Sequence, residues 1–183
     1  MWRQELAVAQ GDTSAYIAQY SAADLKRPSI AVEVAALRLE QGQPDQALAV
    51  LTDARPEQNA PDREGWDLIY IEALIASERF EDAQKHRWDG FLATLNPVML
   101  RAYLRVLPDF EDIEFEEAAK AHAARFGDVT TALGFFLAWP DLGHAARLVE
   151  QRATEIDGNL HHGLGPAAEA LRTRYPLAAA VLW

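Results

Sequence analysis

The chain has 183 residues, half of them hydrophobic and a quarter charged, so its composition is that of a globular protein and excludes a wholly disordered chain. It contains no cysteine, which excludes disulfide scaffolds, cysteine zinc sites and thiol catalysis. Its 28 acidic and 17 basic side chains give a formal net charge of −11. That charge argues against binding to nucleic-acid phosphates or to an anionic membrane surface.

The N-terminal residues predict no targeting segment. Met1 to Leu6 include an early acidic residue and no apolar stretch, unlike a secretory signal peptide. No segment reaches the ~18 consecutive apolar residues that cross a membrane as a helix. We therefore expect a cytoplasmic protein.

The order of helix signals along the chain predicts an all-α fold. The 34 alanines and 22 leucines favour helix over strand, and apolar residues recur at helical spacing. Gly11 ends a first predicted helix, Pro28 begins one that runs to about Gln41, and Gly42 to Pro44 predicts a tight turn. After a loop at 56–62, helices are predicted at about 63–76, 80–94, 97–106, 111–126, 128–138, 141–156, 165–174 and from 176 onward. The prediction is about ten helices paired as antiparallel hairpins.

A repeat is visible in the first half of the chain. The spacing of Gly42, Ala47, Leu51 and Ala54 matches the second half of a tetratricopeptide unit, in which small residues let two helices approach closely. A looser copy places Ala83 36 residues after Ala47. We predict a right-handed tetratricopeptide-like array over 1–95 and further hairpins packed on it over 96–183, as one continuous domain. The alternative is a generic alanine-rich helical hairpin.

The second half contains a helix that is apolar on nearly all sides. It carries Leu133, Phe135, Phe136, Leu137 and Trp139 and ends at Pro140. A helix with this pattern is expected to be buried. The apolar positions of 142–149 predict its partner helix.

Several stretches of the chain resemble a known family. Residues 100–113 read LRAYLRVLPDFEDI, and shorter stretches follow at 138–140, 145–149, 166–170 and 175–179. Together they resemble an uncharacterised family of bacterial tetratricopeptide-like, all-helical proteins. The resemblance implies an all-helical fold and no particular activity. It also implies a chain shortened at its C-terminus, because the members of that family continue beyond the helix at 176.

The most acidic stretch is 109–117, with six carboxylates and no basic residue. Acidic residues at a helix start are stabilised by the helix dipole without any further function. The functional alternative is an acidic edge formed by Asp109, Asp112 and Glu116 that docks a basic partner.

Arginine and tyrosine side chains precede this stretch. Arg101 and Arg105 are four positions apart and share one helix face, with Tyr103 on another side. One interpretation is an internal ion-pair network with Asp109 and Asp112. The alternative is a pocket of Arg101, Tyr103 and Arg105 for an anion or a peptide terminus.

No catalytic motif is present in the sequence. There is no nucleophile elbow and no glycine-rich phosphate loop. The paired His161 and His162 lack a partner at metal-ligand spacing, so we predict no metal and no cofactor. The aromatic residues Trp66, Tyr70, Trp88 and Trp139 are expected in the core.

The predicted function is a non-catalytic protein-interaction module. Stacked hairpins leave a concave face that binds peptides, and we expect a protein or peptide partner, a basic one being among the options. The predicted contact residues are Val32, Ala36, Leu39, Ile69, Glu72 and Ala73. One alternative is an assembly or dimerisation domain that self-associates through Leu182 and Trp183 in the apolar C-terminal helix. A second alternative is a metal-dependent enzyme.

Overall fold

The computed structural model describes residues 13–58, 60–157 and 161–183, with side chains for 15–58, 60–157 and 164–183. Within these ranges the chain forms eleven α-helices, two short 3₁₀ helices and no strand, which confirms the all-α prediction. The chain divides into two compact units, residues 1–85 and 86–183. The helix predicted before Gly11 lies outside the described residues.

The helices of the first unit begin where proline or glycine interrupts the chain. Pro28 and Pro44 occupy first helical positions, where a missing N–H costs no hydrogen bond. Gly42 has a φ of +68°, which only glycine adopts readily, and this allows the tight turn between two helices. The helices are α1 (Thr13–Ile17), a 3₁₀ helix (Asp24–Lys26), α2 (Pro28–Glu40), α3 (Pro44–Asp53), α4 (Arg63–Ala76) and the start of α5 (Phe80–Thr94).

The core of the first unit forms where α2, α3 and α4 pack against one another. The repeat residues Ala47, Leu51 and Ala54 are all buried, as is Ala83. Trp66 is the largest side chain of this core, and its indole N–H donates to the carbonyl oxygen of Leu51 at 3.0 Å. Small residues thus bring the helices together around one large aromatic ring.

Three helices of the second unit begin at polar caps. Asn96 accepts a hydrogen bond from the Val98 N–H, Asp128 accepts from Thr130 and Thr131, and Asp141 accepts from His144. After the end of α5, the helices are α6 (Pro97–Leu104), α7 (Glu111–Ala124), α8 (Val129–Ala138), α9 (Leu142–Gln151), a 3₁₀ helix (Ala153–Glu155), α10 (His161–Leu171) and α11 (Pro176–Val181).

The core of the second unit is built on α8. Phe135 and Phe136 are adjacent in sequence, and both are buried, as expected for a helix that is apolar nearly all round. The partner predicted at 142–149 is α9, which packs on α8. The short C-terminal helix α11 packs on α9 and α10, so tertiary contacts stabilise a helix too short to persist alone.

Two helix boundaries differ most from the prediction. The helix predicted to begin at 165 begins at His161, so Pro166 lies inside it rather than at its first turn. A proline there removes one main-chain hydrogen bond, and its ring crowds the carbonyl oxygen four residues earlier, so the helix forms in spite of Pro166. The helix predicted to reach 156 ends at Gln151, and a separate 3₁₀ turn follows at Ala153–Glu155.

Candidate functional site

A pocket of about 350 Å³ lies in the first unit and is lined by residues of α2 and α4. Ala36, Leu39 and Ala76 line it with apolar atoms, and Glu40 and Glu72 add two carboxylates. Both glutamates are exposed, so their charges remain hydrated. The pocket therefore offers an apolar surface with an acidic border.

This pocket includes half of the predicted concave face. Ala36, Leu39 and Glu72 line it, whereas Val32 and Ile69 are half-buried and pack against the core beside it. Ala73 needs correction, because it is 0% exposed and belongs to the core. Its position one residue after Glu72 turns it inward, so it is not available to a partner.

A polar network in the second unit joins α7 to the turn between α8 and α9. Lys120 Nζ lies 2.7 Å from Glu116 Oε1 and 3.0 Å from Glu117 Oε1. The same Glu116 oxygen accepts the indole N–H of Trp139 at 3.0 Å. On the far side of the network, Asp141 Oδ2 lies 2.8 Å from His144 Nδ1 and 3.8 Å from Lys120 Nζ.

A second pocket, of about 440 Å³, opens beside this network. Trp139, Leu142 and Tyr175 line it, together with Arg174 and the charged groups of the network. Its carboxylates and Lys120 already bond one another, so the network is suited to holding α7 against the α8–α9 turn. None of the described residues that line this pocket is a serine, threonine or cysteine.

The network lowers the pKa of both of its central carboxyl groups. Hydrogen bonds from Lys120 and then Trp139 lower the pKa of Glu116. Burial acts to raise the pKa of Asp141, but hydrogen bonds from the backbone and ring of His144 outweigh it and lower the pKa. Both groups therefore favour the charged form in the folded chain.

We expect the stabilisation from Glu116 to be lost in acid. A carboxyl group whose folded pKa is lowered stabilises the fold fully above its unfolded pKa of about 4.3, and less as pH falls through the folded value. The difference in unfolding free energy between the wild type and Glu116→Gln should therefore shrink as pH is lowered from about 5 to 3. Urea unfolding at several pH values measures it, and a difference that stays constant or grows in acid would contradict the expectation.

The predicted anion pocket at Arg101, Tyr103 and Arg105 does not assemble. Tyr103 is buried among aromatic rings, with centroids 5.0 Å from Trp88 and 5.2 Å from Phe115. Burial, and then the charge of Glu111, raise the pKa of its hydroxyl group. The three residues are thus not directed at one ligand.

The two arginines of this predicted pocket have other neighbours. Arg101 donates to the carbonyl oxygen of Ala138 at 2.7 Å and lies over the ring of Trp139. The neighbour of Arg105 is Arg87, whose pKa is lowered by burial and then by the charge of Arg105. The predicted ion-pair network of Arg101 and Arg105 with Asp109 and Asp112 is also corrected, because the Arg101 guanidinium bonds Ala138 at the end of α8 instead.

The predicted acidic edge is divided between two environments. Asp109 and Asp112 are exposed, as an edge requires. Glu116 is half-buried and bonded to Lys120 and Trp139, so it belongs to the polar network and not to a docking edge. Glu116 lies one helical turn beyond Asp112 on the same side of α7, and at that level it meets Trp139 at the α8–α9 turn.

The two residues predicted for self-association are also separated. Leu182 is 7% exposed and belongs to the core of the second unit, whereas Trp183 is 79% exposed. Leu182 is therefore corrected from a contact residue to a packing residue. The exposed apolar side chains of the C-terminal segment are Leu177, Val181 and Trp183.

Sequence reasoning did not find the polar network or its pocket. Asp141 followed three residues later by His144 is a local capping signal that was available. The bond between Glu116 and Trp139 joins residues 23 positions apart and has no local signal. The side chains of His161 and His162 lie outside those that the structure describes.

Two absences apply to the described ranges. Among the side chains that the structure describes, at 15–58, 60–157 and 164–183, no group of three or more histidine and acidic residues is arranged to hold a metal ion. None of the helices described there is both long enough and apolar enough to span a bilayer.

Comparison with known proteins gives a family without an assigned activity. Neither the curated proteins nor the solved structures contain a match to this chain. A family model described as "Family of unknown function (DUF6880)" matches residues 1–183. Because the match spans the whole sequence, the chain belongs to the DUF6880 family of unknown function.

Proposed function

We propose that this chain is a non-catalytic, cytoplasmic protein-interaction module. In this proposal, the pocket between α2 and α4 receives an apolar side chain from a peptide segment of the partner. The observation that carries it is the apolar lining of Ala36, Leu39 and Ala76 bordered by two exposed glutamates. Apolar anchors and charged borders are how many helical scaffolds recognise peptides.

The charge of the pocket defines the partner. Glu40 and Glu72 carry the two charges of the lining, and the whole chain has a net charge of −11. A lysine or arginine next to the apolar anchor would pair with them and would be steered towards the chain. We infer a peptide segment with a large apolar residue flanked by basic residues.

The helix arrangement supports the same proposal. α2 and α3 form a hairpin, and both pack on α4. We propose that these helices are a tetratricopeptide-like array, with α2 and α4 as the first helices of successive pairs. The first helices of such pairs line the concave face, which is where the pocket lies in this interpretation.

Peptide selection with a charge-reversed pocket tests the proposal. A display library of random short peptides is selected on the wild type and on a Glu40→Lys/Glu72→Lys variant. In peptides selected on the wild type, we expect lysine and arginine beside an apolar residue. In peptides selected on the variant, we expect aspartate and glutamate at those positions. Peptides selected on the wild type should bind the variant about tenfold or more weakly.

The control is an Asp53→Lys/Glu57→Lys variant. Both of its sites are exposed and lie outside the pocket lining, and it carries the same change in net charge. It should select the same peptides as the wild type. If the control changes the preference as much as the pocket variant does, or the wild type enriches no basic peptides, the pocket is not the binding site.

A second candidate function is assembly through the C-terminal segment. Leu177, Val181 and Trp183 are 75%, 47% and 79% exposed, which is unusual for three large apolar residues in one short segment. This face would join two copies of the chain in a homodimer. This version of the assembly hypothesis no longer counts Leu182 among the contact residues.

Two variants distinguish assembly from packing. Leu177→Ser/Trp183→Ser should convert a dimer to a monomer in sedimentation experiments and leave unfolding nearly unchanged. Leu182→Ser should leave the oligomeric state unchanged and lower the unfolding free energy by about 2–4 kcal/mol, because it removes a buried side chain. A wild type that is monomeric at all concentrations would rule out this candidate.

A further inference from the structure

Three exposed apolar side chains lie around the start of α7 in the second unit. Val106, Phe110 and Ile113 are 55%, 79% and 59% exposed. Single exposed apolar residues are ordinary on a protein surface. Here three such residues occur within eight positions of the chain, in the turn before α7 and in its first helical turn. We call these three residues the α7 patch.

A phenylalanine at position 110 is unfavourable for the stability of the fold. It occupies the N-cap of α7 with a φ of +76°, in the left-handed region. A bulky residue is strained there, and glycine or asparagine is usual. Its side chain makes no capping hydrogen bond, although serine, threonine, asparagine or aspartate would make one. Because the ring is also 79% exposed, its burial contributes little to offset these costs.

Acidic side chains surround the α7 patch. Asp109, Glu111, Asp112 and Glu114 are exposed and alternate with its apolar residues. In the part of the chain that the structure describes, no ion pair neutralises these four carboxylates. The uncompensated charge therefore determines what can cover the patch.

We propose that the α7 patch docks a basic amphipathic helix of a partner protein. Phe110 would insert among the apolar side chains of that helix, and its lysine and arginine residues would pair with the surrounding carboxylates. The inference is independent of the proposed function, because it uses a different surface in the other unit. A second copy of this edge, or an anionic membrane, would be repelled by the same carboxylates.

The α7 patch can be tested with a synthetic peptide. The probe is a fluorescein-labelled helical peptide of about 15 residues, a length at which an isolated helix begins to be stable, with leucine on one face and lysine on the other. Fluorescence anisotropy measures its affinity for the full chain. We expect binding that weakens with added salt, because the carboxylates are exposed. A peptide with glutamate in place of lysine should not bind.

The substitution Phe110→Gly separates docking from folding. Glycine suits both a positive φ and an N-cap, so the variant should melt at or above the wild-type temperature. The same variant should bind the basic peptide about tenfold or more weakly, because it lacks the aromatic anchor. Asp109→Asn/Asp112→Asn should also weaken binding and reduce its dependence on salt.

A matched control removes an apolar side chain elsewhere in the same unit. Val98, in α6, is 63% exposed, and Val98→Ser should bind the basic peptide with wild-type affinity. Equal binding by Phe110→Gly and the wild type would overturn the proposal. So would equal loss in Val98→Ser, failure of the wild type to bind the basic peptide, or equal binding of the acidic peptide.

Discussion

Replacing Trp66 with alanine is expected to lower the free energy of unfolding by about 3–5 kcal/mol, as for other large aromatic residues removed from a core. The indole is 1% exposed and stacks on Tyr70 with ring centroids 4.6 Å apart. The guanidinium carbons of Arg55 and Arg63 lie 5.7 and 5.3 Å from its centroid. The substitution therefore opens a cavity at the point where α2, α3 and α4 meet.

A graded series shows which property of Trp66 matters. Trp66→Phe keeps an aromatic ring but loses volume and the hydrogen bond to Leu51, and should cost about 1–2 kcal/mol. Leu68 lies on the same helix and is 66% exposed, so Leu68→Ala should change stability by about 0.5 kcal/mol or less. Urea unfolding measures all three, and amide hydrogen exchange shows whether the loss is confined to residues 1–85. Equal losses in Trp66→Ala and Leu68→Ala would contradict the packing described here.

Helix positions were predictable because their boundaries depend on local chemistry. Pro28, Pro44 and Pro97 can begin a helix but disrupt its interior, and Gly42 can adopt the positive φ that a tight turn requires. Such signals act within a few residues and need no knowledge of the tertiary structure. The signal at Pro166 was misleading because packing can stabilise a helix that contains a proline.

Which helix face is buried was harder to predict. α4 carries apolar residues on several sides, so periodicity alone did not distinguish the buried Ala73 from the exposed Leu68. The same ambiguity affects the last two residues, where Leu182 packs inward and Trp183 does not. Burial of this kind is determined by the neighbouring helices, which the local sequence does not contain.

The candidate sites show the same distinction. The acidic stretch was visible in the sequence, but the position of Glu116 in a network with Lys120 and Trp139 depends on where α8 ends. Exposure of Phe110 was equally invisible, since a phenylalanine at a helix start is usually expected to be buried. The sequence is enough to identify a charged segment, whereas the exposure of each of its side chains depends on the tertiary structure.

The second large effect is expected at the buried ion pair of α4. Arg63 Nε donates to both carboxylate oxygens of Asp67 at 3.0 Å, and the two side chains are 10% and 7% exposed. Asp67→Ala leaves the guanidinium buried without its counter-charge, and we expect a loss of about 3–5 kcal/mol in the free energy of unfolding. The hydrogen bond from Arg63 Nη1 to the carbonyl oxygen of Pro56 holds the arginine in place, so it cannot simply move into water.

Removing both charges of the pair should lower the free energy of unfolding less than removing Asp67 alone. Arg63→Met/Asp67→Leu replaces it with apolar side chains, and we expect this double variant to be more stable than Asp67→Ala, because no unpaired charge remains buried. The matched control is the exposed pair of Arg79 and Asp82, whose side chains are 52% and 51% exposed. Asp82→Ala should cost about 0.5 kcal/mol or less. If Asp67→Ala costs no more than Asp82→Ala in urea unfolding, the buried pair does not stabilise the loop between α3 and α4, and another contact must hold Pro56 against this helix.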